Sequence, residues 1–325
     1  MRVLVTGGAG FVGRAVTARL DAEGDEVVAY DRAVDAADDI TDLARLRAAV
    51  DGCAAVVHLA AKVGLGVGIA DIDDYARHND LGTAVVLRAS ADAGITRLVF
   101  ASSMVVYGEG AYECRRHGAV RPAARRREDL QNGDFEVHCP SCGDDLVPGL
   151  IGEDAPLDPR NAYAATKVHG EHLAGTWARE TGGIAAALRF HNVYGPGLPR
   201  HTPYAGVAAL FATRARAGEP ARVFEDGRQR RDFVHVDDVA RAVSSALRAS
   251  LDPGLTALNI GSGRVTTIGE VAAALADAVG GPPPVVTGDF RLGDVRHVTA
   301  DSAAARRVLG WCAKIALREG LRDLI

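Results

Sequence analysis

The feature that most restricts what this chain can become lies at its start. An apolar run from Arg2 to Thr6 empties into Gly7-Gly8-Ala9-Gly10-Phe11-Val12-Gly13, and a helical pattern follows at once. Glycines at 7, 10 and 13 permit a sharp turn, close approach of backbone to a pyrophosphate and tight packing of helix on strand, while the helix amino terminus offers N–H groups to an anion. A second strand then ends in Asp31, about twenty residues on, where a carboxylate can take ribose hydroxyls. The expectation is a dinucleotide site at Gly7, Gly10, Phe11, Val12, Gly13 and Asp31. Asp31 would repel a 2′-phosphate, which favours NAD over NADP; the adjacent Arg32 argues the other way.

Strand and helix patterns continue to alternate: strands Glu26 to Tyr30, Ala55 to Leu59 and Arg97 to Ala101, with helices Phe11 to Glu23, Leu43 to Val50 and Asn79 to Ala93 between them. This implies an α/β fold, a doubly wound parallel (Rossmann) sheet with crossover helices on both faces. His58-Leu59-Ala60-Ala61 closes the third strand, where small residues let an adenosine lie against the sheet edge. After Gly108 a polar, Arg- and Cys-containing insertion runs to about 158, before a helix from Tyr163 to Glu180 and a strand from Ala185 to Phe190. Loops and helices from about Gly195 onward suggest a smaller lobe, so the expected division is a Rossmann domain at 1–185 and a C-terminal substrate lobe at 186–325.

The 325 residues suffice for a large core. A net charge of −5 gives no basic field for nucleic acid, no apolar run approaches the ~18 residues that span a bilayer, and the start does not read as a signal peptide. Together with five unevenly spaced cysteines, these features point to a cytoplasmic protein with reduced thiols. Only Lys62, Lys167 and Lys314 are lysines in a chain rich in arginine. A lysine kept here suits chemistry that needs a tunable pKa.

Tyr163-Ala-Ala-Thr-Lys167 opens a helix, so phenol and ammonium stand one turn apart on one face. A nearby cation is expected to lower the phenol's pKa toward neutrality and let it act as acid and base. Ser103, just past the fourth strand, sits where ligands bind in such sheets and can hydrogen-bond a reacting hydroxyl. Ser103, Tyr163 and Lys167 are the candidate catalytic residues, and Tyr163 and Lys167 also face the cofactor.

In these motifs the chain resembles the extended short-chain dehydrogenase/reductases, in their nucleotide-sugar epimerase and dehydratase branch. The likeness extends to Asn79 with Gly82-Thr83, Arg189-Phe-His-Asn192-Val-Tyr194-Gly-Pro, Arg231-Asp-Phe-Val-His235-Val-Asp237-Asp238, Asn259-Ile-Gly-Ser-Gly263 and Arg291-Leu-Gly-Asp294. The resemblance implies that Leu59, Ala60, Ala61 and Asn79 line the cofactor, that Asn192, Arg231 and Arg291 hold a substrate diphosphate, and that Phe224 lies by the nucleotide base. Val207 joins the substrate residues on the same ground. Dehydratases of this branch carry an Asp-Glu pair directly after the Ser/Thr, where this chain has Met104 and Val105. That leaves hydride chemistry alone and implies 4-epimerisation through a transient ketone; a net dehydrogenase or ketoreductase would use the same three residues, and a non-catalytic NAD scaffold is the remote alternative. Family likeness further implies a homodimer.

Within the insertion, Cys114-Arg-Arg-His117 and Cys139-Pro-Ser-Cys142 form two short hooks of the kind that close a structural zinc site. A redox thiol pair or a metal-free loop is also open, and His138 offers a substitute ligand. The insertion leaves and rejoins the fold beside Ser103 and Tyr163, which makes it a candidate lid. Its Cys-bearing character, with Thr202-Pro-Tyr204-Ala-Gly206-Val207, resembles the dTDP-L-rhamnose 4-epimerase branch. Val298 stands where UDP-galactose 4-epimerases carry a larger gate residue.

Overall fold

A computed structural model of the chain describes residues 1–64, 69–199 and 206–325. Six strands form one sheet in the spatial order 254–260, 184–190, 97–103, 55–58, 2–6, 26–30, and every neighbouring pair is parallel. Strands covered on both faces must be apolar throughout; Val3, Leu4, Val5 and Ala55 to Val57 are accordingly buried. Chain order reverses between 2–6 and 55–58, which opens a crevice at the carboxyl ends of these strands, the usual ligand position in such sheets.

One face of the sheet packs helices Phe11–Ala22 and Val236–Arg248 around Val16, Leu20, Val239 and Val243. The other packs Leu43–Val50, Gly82–Asp92 and Ala162–Thr181 around Leu46, Val86, Leu87, Ala174 and Trp177. A separate small core unites Val207–Arg216 with Ile268–Val279 through Phe211, Phe233, Val271 and Leu275.

The expected boundary at 185/186 needs correction, because it cuts the strand Ile184–Phe190. Strand Gly254–Ile260 and helix Val236–Arg248, both assigned to the second lobe, belong to the large body. Locally, Gly254 to Ile260 is a short apolar run between glycines; it becomes a strand by pairing residue for residue with 184–190, far back in sequence.

The insertion builds its own sheet of Tyr112–Cys114, Gly118–Ala119 and Val147–Pro148. Its stem is tied to the chain's last segment, Gly110 N–H donating to the His297 carbonyl at 3.0 Å and Ile151 N–H to that of Thr299 at 2.8 Å. These ties fix the stem of the insertion, the candidate lid, to the 297–299 segment.

Candidate active site

The glycine turn leaves no space for side chains. Gly7 sits at φ +72°, where a Cβ would come 2.7 Å from the Ala60 nitrogen, and a Cβ on Gly13 would come 1.9 Å from the Gly7 carbonyl. Helix Phe11–Ala22 starts after Gly10 with no side-chain cap and no acid in its first turn. The N–H groups of Phe11, Val12 and Gly13 are thus left for an anion. Asp31 receives Ala9 N–H at 3.1 Å and Ala33 N–H at 2.9 Å, so it clamps the turn while staying half-exposed. Arg32 is exposed and leans toward Asp39, 3.7 Å away.

Leu59, Ala60 and Ala61 lie half-buried across from Gly7. Thr6 Oγ1 meets His58 Nδ1 at 2.7 Å, and His58 Nε2 meets Thr83 Oγ1 at 3.0 Å. Burial pushes His58 down to about 3, so this ring is a neutral strut. A narrow glycine cradle, free donors and a carboxylate at a strand end fit a dinucleotide. Asn79 arrives differently from the expectation. In a π-helical segment ahead of Gly82, its amide accepts Lys62 N–H at 2.7 Å and donates to the Lys62 carbonyl and to Thr166 Oγ1. It holds Lys62, just after Ala61, to Thr166, the residue before Lys167.

Ser103 ends its strand with its Oγ accepting Val105 N–H at 3.4 Å, and it stands beside Tyr163. Asn161 caps the helix by receiving Ala164 N–H at 2.8 Å, which fixes where Tyr163 starts its turn. Lys167 lies buried beneath, its Nζ 5.7 Å from the Tyr163 ring centre and donating to the Ala101 carbonyl at 2.7 Å. Ser103, Tyr163 and Lys167, drawn from two elements, therefore meet. The expected fall in the Tyr163 pKa is not found: burial raises it to about 12, only partly countered by the neighbouring Ser103 side chain. Lys167 is held at the strand by the Ala101 carbonyl, over the Tyr163 ring, and burial pushes its own pKa down to about 8. Lys167 is buried and Tyr163 half-buried, and in both the loss of water disfavours charge.

A buried network that motif reading missed fixes the distance between Ser103 and the helix. Glu171, one turn beyond Lys167, accepts from Ser102 Oγ and from both Nε and Nη2 of Arg189, at 2.9 and 2.8 Å. Arg189 Nη1 also donates to the Tyr107 hydroxyl at 2.8 Å, and Tyr107 donates to Asn259 Oδ1 at 2.7 Å. The residues flanking Ser103 on both sides are thereby locked to the helix that carries Tyr163. The signal was present in the spacing of Glu171 from Lys167, but its partner Arg189 lies on a different strand.

On the other wall, Arg291 stacks on Phe224, 5.3 Å from the ring centre. Arg231 donates to the carbonyls of Arg230, Arg296 and Val295 at 2.7–2.9 Å. Asp294 feels the charges of both Arg231 and Arg291, yet burial raises its pKa. Asn192 pairs beside Phe233, and its Oδ1 is buried with no hydrogen-bond partner among the described residues. Val207 opens its helix half-buried; Thr202 and Tyr204 lie outside the described residues. Val298 is buried with Met104, Val106 and Tyr107.

Behind this wall stands a second cluster absent from the expectation. Arg296, fully buried, reaches Glu225, Asp226 and Glu136 at 2.6–2.8 Å. Arg125 grips Glu225 with both Nη atoms at 2.9–3.0 Å. Arg125 and Glu136 come from the insertion, and Glu225 and Asp226 adjoin Phe224. Of the insertion's many arginines, Arg116, Arg121 and Arg126 are exposed and pair with nearby acids. The four residues Cys114, His117, Cys139 and Cys142 do converge, their ligand atoms within 4.8 Å of one another. His138 is turned away, between Asp134 and Asp145.

Known proteins agree with this architecture. A dTDP-L-rhamnose 4-epimerase of Burkholderia thailandensis is 33% identical over 99% of this chain and 93% of its own length. A UDP-glucose 4-epimerase of Mycolicibacterium smegmatis is 31% identical over 100% and 97%. The solved structure of the Thermus thermophilus UDP-glucose 4-epimerase in complex with NAD superposes with a TM-score of 0.79 at 30% identity, covering 100% of this chain and 97% of that one. With a family model matching residues 3–126 and 141–261, the chain belongs to the NAD dependent epimerase/dehydratase family.

Proposed function

We propose that this enzyme is a nucleotide-sugar 4-epimerase with tightly held NAD, acting on a dTDP-linked 6-deoxyhexose such as dTDP-L-rhamnose. The observation that carries the reading is Ser103 at its strand end beside Tyr163, followed by Met104 and Val105, neither an acid nor a base. Glu109, the next carboxyl group, is engaged by Arg296 N–H and the Tyr112 hydroxyl. With no acid–base pair for elimination, the chemistry reduces to oxidation and reduction at one carbon.

Bound NAD supplies the hydride acceptor and donor. Ser103 holds the C4 oxygen, and Tyr163 takes the hydroxyl proton as hydride leaves. With the ketone turned to present its other face to the cofactor, Tyr163 would give the proton back to the C4 oxygen held by Ser103. Tyr163 can take that proton only as phenolate; burial alone opposes that form, and the Lys167 ammonium together with the positively charged nicotinamide ring of bound NAD would favour it. Lys167, still largely protonated at neutral pH with a pKa of about 8, supports the developing negative charge. Asn192, Arg231 and Arg291 suit a diphosphate, and Phe224 suits a base. Likeness to the Burkholderia enzyme favours dTDP-L-rhamnose; likeness to the Mycolicibacterium enzyme keeps a UDP-hexose as the second reading. Asp31 supports NAD over NADP. Pairing of two copies through the adjacent helices Gly82–Asp92 and Ala162–Thr181 belongs to the same proposal, as does a cytoplasmic location, supported by five cysteines free of disulfides.

The test incubates the protein, without added NAD, separately with dTDP-L-rhamnose, dTDP-glucose and UDP-glucose. Configuration at C4 is followed by NMR, and NADH by absorbance. Inversion with no net NADH is expected, on dTDP-L-rhamnose above the others. Net NADH without inversion, once NAD is supplied, would replace the epimerase with a dehydrogenase.

A further inference from the structure

We propose that Cys114, His117, Cys139 and Cys142 bind one zinc ion in a closed tetrahedral site that fixes the insertion against the substrate lobe. Zinc with three thiolates at ~2.3 Å and one imidazole nitrogen at ~2.05 Å sets edges of about 3.8 Å between sulfurs and about 3.6 Å from sulfur to nitrogen. In the protein, Cys114 Sγ and Cys142 Sγ lie 3.7 Å apart, and His117 Nδ1 lies 3.4 Å from Cys114 Sγ and 3.5 Å from Cys139 Sγ. A disulfide requires ~2.05 Å, so these sulfurs stand at the separation of atoms sharing a metal, too far apart for a bond.

The backbone around the hooks points the same way. Arg116 N–H is directed at Cys114 Sγ, 3.4 Å away, an orientation that suits a metal-bound sulfur. Both hooks are turns: one joins strands 112–114 and 118–119, the other is closed by Gly143 N–H to the Cys139 carbonyl. The insertion's apolar core consists of Tyr112, Cys114, Val137, Cys139 and Leu146, so two of its five buried members are thiols. A core this small does not hold a segment of such length without a staple.

Four protein ligands close the shell and leave no open position for substrate, which makes the ion structural. Its reach is through Glu136, three residues before Cys139, and Arg125, which grip Arg296 and Glu225. Cys139 lies in residues 127–140, which the family model leaves unmatched, while Cys114, His117 and Cys142 fall within its matched stretches. The inference stands independently of which sugar is epimerised.

The experiment purifies the full chain without chelator or a metal-binding tag, and measures metal by elemental analysis. About one zinc per chain is expected. Exchange for Co²⁺ should give the intense visible bands of a tetrahedral, thiolate-bound ion. Cys139→Ser with Cys142→Ser should lose the metal, whereas Cys53→Ser with Cys312→Ser should keep it. Should the first variant fail to fold, thiol titration of the native protein decides: Cys53 and Cys312 react before chelation, and all five cysteines after it. Metal-free protein with five reactive thiols, or a disulfide between Cys114 and Cys142, would overturn the proposal.

Discussion

Two buried arginines show how differently the two walls of the crevice are built. Arg189, beside Ser103, meets one carboxylate, Glu171, in a bidentate pair, with Tyr107 and a backbone carbonyl as its remaining partners. Arg296, behind the substrate lobe, faces Glu136, Glu225 and Asp226, with Arg125 adding a second cation. The first is a compact pair that sets a distance between two neighbouring elements. The second is a junction that ties a remote insertion to Phe224 and to the Arg291-bearing segment. Precise chemistry at one carbon needs the former; closing a pocket over a long substrate needs the latter.

If the walls divide the labour in this way, the largest effect falls on the chemical step. Tyr163→Phe should lower kcat by about a thousandfold, with NAD content and nucleotide-sugar affinity nearly unchanged; a change mainly in KM would erase the distinction between the walls. Next in size, Arg296→Met strands three carboxylates, two of them partly exposed, and should cost about 3 to 4 kcal/mol of stability. In whatever remains folded, urea titration and steady-state rates should show KM rising more than kcat falls. Equal loss of both would mean that the junction also sets the position of Ser103.

A third prediction concerns pH. Burial holds Lys167 at about 8, against ~10.4 for the unfolded chain. Between these values the unfolded state keeps a proton that the folded state has released, so unfolding free energy should rise with pH by up to about 3 kcal/mol from this group, and stay flat with respect to it below about 8. Lys167→Met should remove that rise; identical wild-type and variant profiles would show that the ammonium is better solvated than its surroundings suggest. The smallest effect is expected at the cofactor's far end, where Asp31→Asn should shift the NAD to NADP preference by about tenfold, since one repulsive contact near solvent is worth about 1 kcal/mol.

The same contrast explains what was legible in the residues alone. The glycine turn, Asp31 and the Tyr163-to-Lys167 spacing are short-range patterns, and a few consecutive residues fix each of them. Glu171 and Arg189 are 18 positions apart, and Arg125 and Glu225 are 100 apart; no local period links either pair. The Tyr163 pKa failed for the same reason. Sequence placed an ammonium one helical turn away, but only the packing around both groups decided that desolvation outweighs the charge.

By itself, then, the sequence determined the strand–turn–helix cradle, the parallel layering and the three residues that meet at the crevice, because backbone sterics and helical periodicity act over a few residues. Tertiary structure decided that Gly254–Ile260 completes the sheet, and that Arg125 and Glu136 of the insertion reach Glu225 and Arg296. Those outcomes depend on which distant surfaces can be buried together, and that is settled only when the whole chain has packed.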